Sequence, residues 1–83
     1  METKEIGVQI DLAATGQRIE QLREERGLSM ADMASFFVKA YTGTYYSWEK
    51  PSKLIKIENL AELAYLFAVE IEDILVIKDP EVE

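Results

Sequence analysis

The sequence predicts a small, mainly α-helical domain flanked by short extended segments at both ends. Its 83 residues favour a single domain. Apolar side chains recur at helical spacing through residues 57–67, and Gly27 stands where one helix would stop before the next begins. Alternating apolar residues at 5–12 indicate a strand instead. The predicted division has three parts: an N-terminal extended segment at 1–14, a helical domain at 15–76 and an acidic C-terminal tail at 77–83.

The first two helices are predicted from their capping residues. Thr15 is suited to cap a first helix over 16–26, directly after the predicted strand. Ser29 and Asp32 have the spacing of a capping box, in which each side chain bonds the backbone N–H of the other residue. This pattern predicts a second helix that begins after Ser29 and ends near Phe37.

The remaining helices follow from the apolar spacing. A third helix is predicted over 42–49, where Tyr45 and Trp48 are expected to be packing residues. The alternative is that these two rings and Tyr41 stack on bases. A fourth helix over 57–67 has the clearest helical period, and its buried stripe is expected to begin at Ile57.

The C-terminal end of the chain is predicted to hold a short fifth helix and an extended piece. The helix is expected over 71–75, the extended piece at 76–77 and a frayed acidic tail over 78–83. The extended pieces at the two ends of the chain have two possible partners. They could pair with each other or with a second copy of the chain.

The composition excludes several classes of enzyme. The chain contains no His and no Cys, which removes a Ser-His-Asp triad, a Cys nucleophile and a metal site built from imidazole or thiolate ligands. We therefore expect no catalytic residues, no cofactor, no metal and no small-molecule substrate. The N-terminus lacks the basic start of a signal peptide, and no apolar run approaches the length of a membrane span. The expectation is a soluble cytoplasmic protein without membrane association.

Four motifs, in this order and spacing, carry a family resemblance: Arg23-x-x-Arg26-Gly27-Leu28-Ser29, Trp48-Glu49, Ile57-x-x-Leu60-x-x-Leu63-Ala64-x-x-Phe67 and Ile74-Leu75. With them, the segment 15–76 resembles the Xre/Cro/repressor type of helix-turn-helix domain, the λ-repressor-like five-helix fold, and in particular its small stand-alone bacterial or phage members. Pro51 and Ile55 depart from the residues that the family prefers there, and the turn before the third helix is one residue longer.

The resemblance implies a DNA-binding transcriptional regulator that acts as a homodimer and places its third helix in the major groove of double-stranded DNA. The base-reading positions would then fall on Thr42, Gly43, Thr44 and Ser47, with Tyr46 on the exposed flank. Threonine and serine bond either base more weakly than the glutamine of many relatives, and Gly43 has no side chain to offer. The alternative is that these small residues only solvate the start of an exposed helix.

The resemblance also implies a set of contacts to DNA phosphates. The positions are Gln17, Arg18, Met30, Lys39, Lys50, Lys53 and Lys56. Met30 could act only through its backbone N–H, since helix N-termini favour phosphate and a thioether does not. For each of the cationic residues, an ordinary solvated side chain is the alternative.

Two charged groups have a structural interpretation. Arg23 and Glu49 match a pair that, in relatives, forms a partly buried ion bridge between the first helix and the end of the third. That bridge would orient the recognition helix.

Glu70, Glu72 and Asp73 lack the spacing of an EF-hand, so we expect them to be an acidic helix start rather than a cation site.

The net charge of −7 is unevenly distributed. Residues 15–56 hold seven basic against five acidic side chains, whereas residues 57–83 hold one against eight. The expected DNA-binding surface is therefore mildly basic, and the acidic end lies elsewhere. Two functions remain open: a DNA-binding regulator, or a helix-turn-helix fold used for protein interaction, as in an antitoxin or adaptor, with weak or no DNA binding.

Overall fold

Five helices and a two-stranded sheet make up residues 9–37 and 42–78, the part of the chain that the computed structural model describes. In chain order the elements are β1 (Gln9–Ile10), α1 (Leu12–Glu25), α2 (Met30–Phe36), α3 (Thr42–Glu49), α4 (Ile57–Phe67), α5 (Ile71–Ile74) and β2 (Ile77–Lys78). The mainly α fold with extended pieces near both ends is confirmed. No helix within the described residues is long and apolar enough to cross a membrane.

The start of α1 differs from the prediction. Asp11, not Thr15, is the N-cap, and its carboxylate accepts a hydrogen bond from the backbone N–H of Ala14 at 3.0 Å. The helix therefore begins at Leu12, four residues earlier than predicted, and the predicted strand stops at Ile10. Residues 5–8 of that strand lie outside the described part of the chain. The predicted domain boundary at residue 15 stays a prediction.

The two extended pieces pair with each other, which is one of the two alternatives left open by the sequence. β1 and β2 are antiparallel, with Ile10 opposite Ile77. The hydroxyl of Thr15 accepts a hydrogen bond from the backbone N–H of Val76 at 3.0 Å, so this buried side chain joins α1 to the approach to β2. Lys78 lies in β2 and not in the predicted tail. The rest of that tail, residues 79–83, lies outside the described part of the chain.

The junction between α1 and α2 follows the local sequence signals. Gly27 adopts a left-handed conformation with φ of 66°, and the backbone N–H of Leu28 returns to the carbonyl of Arg23 at 3.2 Å. The predicted capping box of α2 is confirmed. Asp32 Oδ2 accepts from the Ser29 backbone N–H at 2.8 Å, and Ser29 Oγ accepts from the Asp32 backbone N–H at 3.0 Å.

The core is assembled from side chains of all five helices. Trp48 packs edge-to-face against Phe37 and Tyr45, with ring centroids 5.3 and 5.7 Å away. Tyr45 and Trp48 are therefore packing residues, as predicted, and Tyr41 lies outside the described residues. The prediction that the buried stripe of α4 begins at Ile57 is wrong. The Ile57 side chain is 65% exposed at the start of α4, where no described element covers it. The other buried apolar residues are Ile19, Leu22, Met33, Ile55, Leu60, Leu63, Ala64, Phe67 and Ile74.

Arg26 stabilises the C-terminal end of α4. Its Nη2 donates to the carbonyl of Phe67 at 2.6 Å, and its guanidinium lies over the ring of the same residue, 5.3 Å from the centroid. The carbonyls at the end of a helix lack intrahelical partners, so this bond satisfies one of them. α5 then ends at Ile74, one residue before the predicted end.

Candidate nucleic-acid interface

α3 has one face in the core and one face open to solvent. Tyr45, Trp48 and Glu49 are buried, whereas Tyr46 is 53% exposed and Ser47 is also exposed. The backbone of α3 includes Thr42 and Gly43, so both of these predicted positions lie in its first turn. The exposed face therefore holds polar side chains on a helix whose opposite face is fixed by packing.

The hydroxyl of Ser47 is already engaged within α3. Its Oγ donates to the carbonyl of Thr44 at 2.6 Å, which leaves the oxygen lone pairs free to accept from an amino group. The Tyr46 hydroxyl is both a donor and an acceptor. Together these groups can bond the donors and acceptors that base edges present in the major groove.

Arg23 and Glu49 join α1 to the end of α3. Arg23 Nε donates to Glu49 Oε2 at 2.6 Å and Nη2 donates to Oε1 at 3.4 Å, while Nη1 donates to the carbonyl of Leu28 at 2.8 Å. The two side chains are only 12% and 4% exposed. The bond to Glu49 raises the pKa of Arg23 above its ordinary value, against the opposing effect of burial. A bidentate pair of this kind fixes direction as well as distance.

Gly16 lets α1 approach the end of α3 closely, a role that was not predicted from the sequence. A Cβ at this position would lie 2.6 Å from Pro51 Cδ and would overlap the carbonyl oxygen of Glu49. The sequence offered little signal, because Gly16 is the first residue of the predicted helix. Only the earlier start at Leu12 places it in the helix interior, where a glycine costs about 1 kcal/mol relative to alanine and usually reflects a packing need. Pro51, a departure from the family pattern, packs here.

Tyr45 carries a buried polar atom behind α3. Its side chain is fully buried, and its hydroxyl has no hydrogen-bond partner among the described residues. Burial raises the pKa of Tyr45 far above its ordinary value, and the negative charge of Glu49 adds to this shift. The hydroxyl is therefore neutral at all physiological pH values.

Three of the predicted phosphate-binding lysines follow α3 in the chain. Lys50, Lys53 and Lys56 are exposed, and Lys56 is the N-cap residue of α4. None of the three forms an ion pair within residues 9–37 and 42–78. Gln17 is also exposed, on the first half of α1. These side chains can reach an anion without first breaking an internal pair.

Other predicted phosphate positions have structural roles. Arg18 Nε donates to the carbonyl of Asp73 at 2.9 Å, and its Nη1 donates to Gln21 Oε1 at 3.2 Å, so Arg18 ties α1 to α5. The Met30 side chain packs against the core, which leaves its backbone N–H at the start of α2. Lys39 lies outside the described residues.

The acidic residues at the start of α5 form a capping box. Asp73 Oδ2 accepts from the backbone N–H of Glu70 at 2.9 Å, and the Glu70 side chain accepts from the backbone of Asp73. These carboxylates therefore satisfy the helix start, as expected for an acidic first turn. Within the described residues, no group of three or more acidic side chains is placed to hold a metal ion.

Comparison with known proteins finds similarity in structure and not in sequence. No protein-family model and no curated protein matches the sequence. A solved structure, the crystal structure of the DNA-binding domain of BldD, superposes with a TM-score of 0.69 at 21% identity, over 78% of this chain and 93% of that one. The chain therefore has a helix-turn-helix fold of the kind found in a DNA-binding domain.

Proposed function

We propose that this protein is a transcriptional regulator that binds double-stranded DNA with α3 in the major groove. The observation that carries the proposal is the exposed polar face of α3, which is held in one orientation by the Arg23–Glu49 pair. The shared fold with the DNA-binding domain of BldD supports the same function. Thr44, Tyr46 and Ser47 would read base edges, with Thr42 and Gly43 in the first turn of the helix.

The charge distribution supports this orientation. Residues 42–56 carry three lysines against Glu49, whose charge is paired with Arg23. Residues 57–78 carry Lys78 against five acidic side chains. Charges separated by more than a Debye length, about 10 Å at moderate salt, interact weakly. Acidic side chains beyond this distance from α3 and the lysines would therefore reduce affinity for phosphate only slightly, whereas Glu58, two residues after Lys56, opposes phosphate binding there.

A dimer is part of the proposal. One domain of this size presents a single short recognition helix and few phosphate contacts, whereas two domains can occupy two half-sites about one helical turn apart. Sedimentation of the protein with a selected duplex should give two chains per site. A complex with one chain per site would contradict this part of the proposal.

The test of DNA binding uses two matched charge reversals. Lys53→Glu removes a cation beside α3, and Lys78→Glu makes the same change in β2, which holds none of the proposed DNA contacts. We expect the first to weaken binding to a mixed-sequence duplex by about tenfold or more and the second to have little effect. Absence of duplex binding at low salt, or equal effects of the two variants, would contradict the proposal.

Base reading is tested separately. Selection of bound sequences from a random duplex library should return a common motif for the wild type. Ser47→Ala should relax the preference at one position of that motif, by less than the ~1–3 kcal/mol of a good bidentate contact, while leaving the phosphate contacts intact. If the motif is unchanged in this variant, Ser47 does not contact a base edge.

A further inference from the structure

A groove runs between α4 and the facing ends of α2 and α3. Among the described residues, its large apolar lining side chains are Phe36 and Phe37 at the end of α2, Trp48 in α3, and Tyr65 and Leu66 in α4. Trp48 is buried at 6% exposure and forms part of the floor. Thr44 and Lys56, two of the DNA-contact candidates, also line the groove.

The groove holds two exposed aromatic rings. Phe36 is 50% exposed and Tyr65 is 89% exposed, although large apolar side chains are favoured in the interior. Ala61 is exposed on α4 one turn before Tyr65, and its small side chain leaves room beside the rings. Aromatic anchors around a recess are typical of surfaces that bind another protein.

The α4 wall of the groove is acidic. Glu58 and Glu62 lie four residues apart on the same face of α4, line the groove, and form no ion pair with any described residue. Glu58 lies in the first turn of α4, where a negative charge suits the helix dipole. Glu62 lies beyond that turn, and its like charge at this spacing slightly destabilises the helix. Both carboxylates would repel DNA phosphate, and a cation on a bound partner would neutralise them.

We propose that this groove docks a basic amphipathic segment of a partner protein. The apolar side chains of the segment pack between Phe36 and Tyr65, and its lysine or arginine side chains pair with Glu58 and Glu62. The groove has the form that receives one apolar helix face, with specificity from flanking charges. The proposal does not depend on DNA binding, because the side chains that hold the segment are not among the proposed DNA contacts. Thr44 and Lys56 line both surfaces.

The test is a selection with the folded protein as bait. A displayed library of random peptides is selected on the wild type and counter-selected on Glu58→Lys/Glu62→Lys. Recovered peptides should be net positive and should carry apolar residues at helical spacing. Their binding should also change the fluorescence of Trp48, the chain's one tryptophan, at the groove floor. Tyr65→Ala, a change at a highly exposed position, should weaken binding by about tenfold or more.

A control variant separates the groove from net charge. Glu20→Lys/Glu72→Lys changes the net charge by the same amount at two positions that do not line the groove, and it should bind the peptides like the wild type. The proposal is overturned if both double variants lose binding equally, or if the recovered peptides are no more basic than the library. It is also overturned if no recovered peptide loses affinity for the Tyr65→Ala variant. Self-association in sedimentation that Tyr65→Ala abolishes would overturn it too, since a second copy of the chain would then occupy the groove.

Discussion

Replacing Gly16 with alanine should destabilise the protein, although the same change stabilises most helices. Gly16 lies in the second turn of α1, and alanine in an open helical position gains about 1 kcal/mol over glycine. Here the new Cβ would lie 2.6 Å from Pro51 Cδ and 2.8 Å from the carbonyl carbon of Glu49, and still closer to its oxygen. These are backbone and ring atoms, so no side-chain rotation can relieve the contact.

The expected size follows from these opposing effects. Overpacking costs about 1–3 kcal/mol in a well-packed site, and a clash with backbone lies in the upper part of that range. After the helix gain is subtracted, we expect the free energy of unfolding to fall by about 1–2 kcal/mol. For a domain of this size, each kcal/mol lowers the melting temperature by about 4–8 °C. The displacement should also loosen the end of α3 and weaken any DNA binding.

Thermal unfolding followed by circular dichroism provides the assay. Gln17→Ala is the control, because it also introduces alanine into α1, one residue away at an exposed position, and should alter stability by less than about 0.5 kcal/mol. In the background of Pro51→Ala, the cost of Gly16→Ala should shrink, since the proline ring no longer blocks the new Cβ. A melting temperature for Gly16→Ala equal to or above that of the wild type would refute the close approach of α1 and α3.

Three further predictions concern polar groups. Glu49→Gln leaves the largely buried Arg23 guanidinium with only the exposed Glu24, 3.9 Å away, as a counter-charge. Urea unfolding should therefore show a loss of about 3 kcal/mol, and an unchanged midpoint would contradict the buried pair. Tyr45→Phe removes a buried hydroxyl that has no hydrogen-bond partner among the described residues, so the melting temperature should stay the same or rise. A loss of more than about 1 kcal/mol in the free energy of unfolding would show that the hydroxyl has a partner. The Ser29 backbone N–H and hydroxyl hold the pKa of Asp32 below its ordinary value, so the ionised form stabilises the fold above about pH 4 and this contribution is lost as the pH falls further. The stability difference between wild type and Asp32→Asn should therefore narrow on acidification, and a difference independent of pH would contradict it.

The sequence predicted correctly those structural features that depend on contacts between residues close together in the chain. The Ser29–Asp32 capping box and the left-handed Gly27 depend on contacts three to five residues apart, so the spacing in the sequence is sufficient. The bounds of α3 and α4 followed from the apolar period in the same way. Ile57 fits that period and is nevertheless exposed, because periodicity does not say which end of a helix the core covers.

Contacts between distant residues account for the differences. Asp11 and Thr15 are both suitable N-caps by residue type, and the choice depends on Val76, which bonds the Thr15 hydroxyl from 61 positions away. The phosphate contact of Arg18 stays a prediction, but its bond to the carbonyl of Asp73 could not be predicted, because it depends on how α5 packs. The role of Gly16 likewise depends on a neighbour that only the folded chain supplies.

The salt dependence of duplex DNA binding tests the central claim most directly. For the wild type, the logarithm of the binding constant should fall steeply with the logarithm of salt concentration. The triple variant Lys50→Gln/Lys53→Gln/Lys56→Gln should lower that slope by up to about 3, because each phosphate that a lysine neutralises adds about 0.9 to it. Lys78→Gln should leave the slope unchanged. Absence of binding by the wild type at low salt, or a slope that the triple variant does not change, would contradict the assignment of α3 and these lysines to DNA.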